Sequence, residues 1–401
     1  MASTAGGTTG SARRLTAPRY GADRPWLVVA GGGTGGHLYP GLAVARELVE
    51  RGCPPSAVHF VGARRGLEAR THALEGFPAT LLPGRGLNRS LSGAGLVVNA
   101  KAVAGMSAAV ALAVRLFARW RPAVVMSLGG YASAPCVAAA VAWRCPIVVV
   151  NVDAVAGAVN RWASRVAAAT AVGVPDVDVP RAVFTGVPVR ASLAAVDRSE
   201  EGRREAKRRL GLADSARVVA VSGGSLGARS LNMATLELAA IWSGRSDVAV
   251  RHVVGRRDWD ELRATAAAAG QLCYQQVEYE EDMAALYSAA DIAVQRAGAN
   301  TVAELALAGV PSVLVPLPGS PGDHQGANAR TMAAAGGAVV VADGDLDGSR
   351  LATELDALLA APQRLADMGR AAGSLARPGA TAAVADLVQQ HARAPFPAEC
   401  R

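Results

Sequence analysis

Twice in this 401-residue chain a short apolar run ends in a cluster of glycines and passes into a helical pattern. Trp26-Leu-Val-Val-Ala30 leads into Gly31-Gly-Gly-Thr-Gly-Gly36, after which Leu42, Ala45, Leu48 and Val49 share one helical face. Val218-Val-Ala-Val-Ser222 leads into Gly223-Gly-Ser-Leu-Gly227 and a helix from Ala228 onward. Further apolar runs at Val58–Val61, Val124–Leu128 and Ile147–Val150, then at Val248–Val254, Ile292–Gln295, Ser312–Val315 and Ala338–Val341, alternate with helical stretches. Such alternation predicts parallel sheets covered by helices. Phe184-Thr-Gly-Val-Pro-Val-Arg190 has the Gly/Pro punctuation of a domain junction. The expected plan is a tail over 1–24, a first Rossmann-like domain over 25–187 and a second over 188–375. The two face each other across a cleft, and 376–401 forms a last helix and tail. Residues 198–209 are charged and predict an exposed helix. Ligands of such sheets sit at the carboxyl ends of the strands.

Charge divides the chain. Residues 24–190 carry 17 Lys and Arg against 7 Asp and Glu, whereas residues 191–401 carry 21 against 25. No acidic residue falls between Glu75 and Asp153, a stretch that holds Arg85, Arg89, Lys101, Arg115, Arg119, Arg121 and Arg144. This asymmetry predicts an anionic surface or ligand for the first half. Leu96, Val97, Val98, Val103, Met106, Leu112, Leu116, Phe117 and Trp120 lie among these basic residues. They suit an anionic bilayer surface, with core packing as the competing role for most of them. The segment Ala102–Val114, bracketed by Lys101 and Arg115, falls short of the roughly 18 apolar residues a spanning helix needs. The expectation is therefore a soluble or surface-bound protein. The first 24 residues hold no apolar core of a signal peptide and read as a disordered tail. Cys53, Cys136, Cys145, Cys273 and Cys400 form no CxxC pair, and their odd number argues for a reducing compartment. The six histidines are scattered, so no metal site is expected. Leaving-group charge then falls to helix dipoles and basic side chains.

Five strings could carry chemistry. Gly32-Gly-Thr-Gly-Gly-His37 lets the backbone approach a ligand closely and ends at a helix start that suits phosphate. His37 beside it can accept a proton near neutral pH or serve the helix start structurally. Ser127-Leu-Gly-Gly-Tyr-Ala-Ser-Ala-Pro135 offers backbone N–H groups at Gly129 and Gly130 and hydroxyls at Tyr131 and Ser133, or is a plain turn. Ser222-Gly-Gly-Ser-Leu-Gly-Ala-Arg229 places Ser225 at a helix start. In Arg296-Ala-Gly-Ala-Asn-Thr-Val-Ala-Glu304, Gly298 permits close approach and Thr301 caps or contacts phosphate. Glu304, one turn on, can take both hydroxyls of a ribose or face solvent. Asp323-His-Gln-Gly-Ala-Asn-Ala329 is a polar turn that binds sugar hydroxyls or caps its helix.

Taken in order, these five strings resemble the MurG family of cell-wall glycosyltransferases, from about Trp26 to residue 375. The resemblance implies a GT-B fold and an inverting transfer of N-acetylglucosamine from UDP-N-acetylglucosamine to an undecaprenyl-linked N-acetylmuramyl-pentapeptide. By that likeness Glu304 holds the ribose, while Arg190, Ser225, Leu226, Gly227, Gly298 and Thr301 lie around the diphosphate. Gln325 and Asn328 lie near the donor sugar, Tyr279 and Glu280 line the uracil pocket through their backbone, and Thr34, Gly35 and Gly36 also touch the donor. Gly32, Gly33, Gly129, Gly130, Tyr131, Ser133 and Asn151 fall to the acceptor. No cofactor is implied beyond stimulation by a divalent cation. The implied partners are the anionic membrane surface, at its cytoplasmic face, and the cell-wall machinery; nucleic acid is not among them. The last helix of the family returns to the first domain, which 379–393 can do.

The chain departs from the family at three places. Val150-Asn-Val-Asp153 replaces His-Glu-x-Asn beside the acceptor, Val187 replaces an Asn, and Leu226 replaces a Gln. His37 and Asp153 are therefore the candidates for general base. Two other readings share the motifs: a UDP-sugar transferase acting on a diacylglycerol or small metabolite, and a non-catalytic nucleotide-sugar binder.

Overall fold

The computed structural model describes residues 20–21, 23–32, 35–64, 76–83, 93–194, 196–224, 226–263 and 270–397. The tail expected over 1–24, Gly33, Thr34, Arg85, Arg89 and Ser225 lie wholly or mostly outside them, as do the side chains of Leu96, Val97, Val98 and Lys101. The first domain holds β1 (Leu27–Gly31), β2 (Val58–Ala63), β3 (Ala79–Leu82), β4 (Val124–Gly129), β5 (Ile147–Asn151), β6 (Ala169–Val172) and β7 (Ala182–Phe184). The second holds β8 (Arg217–Ser222), β9 (Val248–Val253), β10 (Cys273–Val277), β11 (Ile292–Gln295), β12 (Ser312–Leu314) and β13 (Ala338–Val340). All pair in parallel, in the orders β3-β2-β1-β4-β5-β6-β7 and β10-β9-β8-β11-β12-β13.

Parallel strands buried on both faces need apolar residues throughout, and β1, β4 and β5 are buried end to end. The helix Gly35–Glu50 buries Leu38, Leu42, Ala45 and Leu48 against one face of the first sheet. Truncating Leu48, which has no exposed surface, to Ala would cost about 2–5 kcal/mol. The helix Gly93–Trp120 covers the other face through Ala109, Ala113, Phe117 and Trp120. Its stretch Ala102–Trp120 corrects the length expected from sequence: by length and composition alone, these 19 residues suffice to cross a bilayer. Lys101 and Arg115 had seemed to close the apolar segment, yet the helix runs through both.

Four strands, β3, β6, β7 and β10, go beyond the apolar runs read from sequence. The charged helix, Glu200–Arg209, is less exposed than its composition predicts. Lys207 is buried and donates to the Asp214 and Ala216 carbonyls, both at 2.8 Å. Arg203 donates to Ala290 O and Asp291 Oδ1, so the cationic face binds carbonyls and a carboxylate of its own domain. The last helix, Ala380–His391, lies on the first domain, where Val384, Ala385 and Val388 join the cluster of Leu38 and Leu42. Trp26 Nε1 donates to Ala394 O at 2.7 Å and the Trp26 ring meets Phe396 edge-on. In each sheet the order reverses at one point, between β1 and β4 and between β8 and β11. The crevice outside the strand ends at such a switch point is where ligands bind, and the Gly-rich strings follow these four strands.

Candidate active site

On the side of the second domain, β11 runs through Arg296-Ala-Gly298 into the helix Ala299–Ala308. Gly298 caps this helix in extended backbone with no side-chain cap, and the helix Arg229–Ile241 likewise starts at Ala228 without one. Two helix starts with uncapped N–H groups therefore meet at the β8/β11 switch point, an arrangement that attracts a diphosphate. Thr301 lies in the first turn, and Leu226 is exposed in the β8 loop.

Glu304 faces the groove and not open solvent. Its Oε1 lies 3.7 Å from the Arg190 guanidinium, and its Oε2 accepts from Tyr287 Oη at 3.2 Å. Burial pushes the carboxyl above its ordinary value, while Arg190 and Tyr287 pull the other way. Arg190 stacks on the Tyr39 ring of the first domain, 5.0 Å from its centroid, and Tyr39 Oη lies 3.2 Å from Tyr279 Oη. Junction, first domain and second domain thus converge beside Glu304. The Glu280 carboxylate turns into its own domain toward Arg251, with Nε to Oε2 at 3.0 Å.

On the opposite wall, Gly130 has a φ of +76° and supports the other glycine loop. A Cβ there would lie 2.7 Å from Gly32 O and 3.5 Å from His37 Nδ1, so only glycine lets the two loops and the imidazole nest together. Burial holds His37 below the ordinary histidine value, opposed by the Asp153 charge and a hydrogen bond to Gly32. Gly35 O accepts from Asn300 Nδ2 at 3.4 Å, which ties this loop to the donor-side helix. Gly36 is exposed.

Three residues assigned to the acceptor make hydrogen bonds within their own domain. Ser133 is fully buried and donates to Ala30 O and Gly129 O at 2.7 and 2.8 Å, so its single proton is spent inside the sheet. Asn151 is buried as well. It donates to Asp153 O at 2.7 Å and accepts from Asn160 Nδ2 at 3.1 Å, which shapes the 151–153 turn. Tyr131 donates its hydroxyl to Pro83 O at 2.9 Å. Two donor-sugar candidates are also engaged within the protein. Gln325 Oε1 accepts from Leu317 N at 2.9 Å. Asn328 accepts from Ala154 N at 3.0 Å and donates to Asp153 Oδ1 and Ala297 O.

His324 is the residue that sequence reasoning passed over. Its Nδ1 donates to Asp153 Oδ1 at 2.9 Å across the groove, and this bond raises its pKa. It stood inside the string Asp323–Ala329, but nothing in spacing connects it with a residue 171 positions earlier. Among the described residues no group of His, Cys, Asp and Glu is arranged to hold a metal ion.

Residues 27–172 match the glycosyltransferase family 28 N-terminal domain, and residues 218–390 match its C-terminal domain. The chain belongs to glycosyltransferase family 28. A relative from Anaeromyxobacter dehalogenans (strain 2CP-C) is 39% identical over 92% of this chain and 93% of its own. One from Alkalilimnicola ehrlichii is 40% identical over 92% of this chain and 99% of its own. Both bear the name UDP-N-acetylglucosamine--N-acetylmuramyl-(pentapeptide) pyrophosphoryl-undecaprenol N-acetylglucosamine transferase. The crystal structure of Acinetobacter baumannii MurG superposes with a TM-score of 0.70 at 30% identity, covering 93% of this chain and all of that one. The family-28 fold accordingly has the two-domain, GT-B-like form expected from the sequence.

Proposed function

We propose that this chain is an inverting N-acetylglucosaminyltransferase. It moves the sugar of UDP-N-acetylglucosamine to the C4 hydroxyl of N-acetylmuramyl-pentapeptide carried on undecaprenyl pyrophosphate. The observation that carries the reading is Glu304, a partly buried carboxylate set beside Arg190 in the groove, one turn past a helix start that can hold a diphosphate. A carboxylate so placed takes the two ribose hydroxyls as donors, and the N–H groups at Leu226 and Thr301, with Arg190, take the phosphates.

The acceptor oxygen attacks the anomeric carbon from the face opposite UDP. The bond from that carbon to the β-phosphate oxygen breaks, and its electron pair leaves with UDP. The hydroxyl proton passes to His37. A depressed pKa keeps the imidazole neutral and able to accept it at pH 7. The imidazolium that forms is stabilised by the Asp153 carboxylate, whose own oxygen is already held by His324 and Asn328. These contacts favour His37 as the base and Asp153 as its electrostatic support.

The acceptor is lipid-borne, so the first domain works against a membrane. Val103, Val141 and Trp143 are exposed, Arg115, Arg119, Arg121 and Arg144 are exposed among them, and Arg121 stacks on Trp143. Phe117 and Trp120 are buried and take no part. An apolar patch with a basic rim suits the anionic cytoplasmic face. The assay is release of UDP over a panel of UDP-sugars and acceptors. Release is expected with UDP-N-acetylglucosamine and the pyrophosphoryl lipid together. Release with diacylglycerol in place of that lipid would transfer the assignment to another acceptor.

A further inference from the structure

Beneath the β8 loop lies a chain of buried polar groups that the transfer reaction does not touch. Asn232 and His252 have no exposed surface, and Asp258 is 3% exposed. Asn232 Nδ2 donates to Val254 O at 3.0 Å and to Asp258 Oδ2 at 2.9 Å. Its Oδ1 must then accept, so His252 Nε2, 3.0 Å away, carries the proton. His252 Nδ1 is left to accept from Tyr274 Oη at 2.7 Å, and Tyr274 in turn accepts from Gln276 Nε2 at 3.0 Å. The donors therefore run one way, from Gln276 through Tyr274, His252 and Asn232 to the Val254 carbonyl and the Asp258 carboxylate. Only neutral His252 fits this order, in agreement with a pKa that burial brings down to about 4.

The carbonyl at the end of this chain is the one on which the glycine loop rests. Gly227 (φ +81°) is so close to Val254 O that a Cβ on it would lie 2.1 Å away. Gly255 (φ +84°) is packed so that its own Cβ would lie 2.2 Å from Gly227 N. Arg257 N donates to Leu226 O at 3.3 Å. The base-side strand end is tied down separately, by Val254 N to Val277 O at 2.9 Å and Gly255 N to Glu278 O at 3.0 Å.

We infer that Asn232 and His252 are positioning residues for the diphosphate: they fix the Val254 carbonyl, and with it the turn closed by Gly227 N to Gly224 O at 2.9 Å, which presents the Leu226 N–H. Neither residue reaches the substrate. The inference rests on the donor reading above and deepens it, since it makes grip on the phosphates separable from grip on the nucleoside.

Calorimetry with UDP and with uridine tests it. Asn232→Leu is expected to weaken UDP by about tenfold, the affinity carried by one backbone donor to a charged group, and to leave uridine within about twofold. Donor KM is expected to rise while acceptor KM holds. Asn232→Leu also strands a buried Nε2–H, so the milder pair His252→Leu and His252→Gln accompanies it. Gln can still donate to Asn232 Oδ1 and should recover most of the UDP affinity that Leu loses. Equal losses for UDP and uridine, or folded variants with unchanged UDP affinity, would overturn the inference. Failure of the unsubstituted protein to bind either ligand would strike the donor reading itself.

Discussion

Asp153 Oδ1 accepts a hydrogen bond from His324 Nδ1 at 2.9 Å, joining the acceptor-side domain to the donor-side domain. The Asp153 hydrogen bond is the first cause of a raised His324 pKa; partial burial works against it, and the charges of Asp153 and Asp323 add to it. A histidine whose folded value lies above its unfolded value contributes stability fully below the unfolded value of about 6.5. That contribution is lost as pH rises through the raised value. Asp153→Asn should therefore destabilise the chain by about 1 kcal/mol at pH 6, the pair being partly solvated. The difference should shrink above neutrality. Urea unfolding of both proteins from pH 6 to 9 checks this, and a difference that widens with pH would contradict it.

Glu304 pairs with Arg190 and receives Tyr287. Glu304→Ala should raise donor KM by about ten- to a hundredfold, with kcat changed far less, because the ribose contact is equal in ground and transition states. Tyr287→Phe should move donor KM the same way by less. Initial rates at saturating acceptor measure both, and an unchanged donor KM in Glu304→Ala would remove the carboxylate from nucleotide binding.

His37 should behave oppositely. His37→Ala should lower kcat by about 10²–10⁴-fold and leave donor affinity near its starting value. Since burial depresses the His37 pKa, the base stays competent at pH 7 and activity falls only as pH drops through a value below 6.5. A pH–rate profile whose acid limb falls at or above the ordinary histidine value of about 6.5 would speak against a buried imidazole as the proton acceptor.

Two buried histidines outside the groove govern acid stability. Burial brings both His59 and His252 down to about 4. The unfolded chain takes up these protons near 6.5, so stability rises with pH between about 4 and 6.5. His252 alone should account for about 3 kcal/mol lost by pH 4. His252→Gln should flatten part of the acid limb in urea midpoints taken from pH 4 to 7; an unaltered limb would assign it to other groups.

How much was legible depended on whether a residue's role was local. Runs such as Val124–Leu128 announce buried strands, and a glycine cluster after such a run marks the switch point. Cys273-Tyr-Gln-Gln-Val277 hides β10 because two of its five residues are glutamines, at home on an edge strand. Ala182–Phe184 is wholly exposed, and Ala169–Val172 is lost in alanine-rich sequence. The site divided the same way. His37 directly follows a glycine cluster and Glu304 stands a short way past Gly298, so sequence alone could single both out as candidates. Ser133 and Asn151 had the right chemistry, but their hydrogen bonds to Ala30 and from Asn160 follow from how the elements pack. His324 acquires meaning only from a partner in the other domain.

The most direct test is the product itself. Purified protein, UDP-N-acetylglucosamine and a pyrophosphoryl-linked N-acetylmuramyl-pentapeptide lipid are combined, and the lipid product is examined by mass spectrometry and by proton NMR at its new anomeric centre. The account predicts an acceptor heavier by one N-acetylhexosamine, joined at C4 in the β configuration, with one UDP released per sugar. An unmodified acceptor, or an α-linked product, would contradict it.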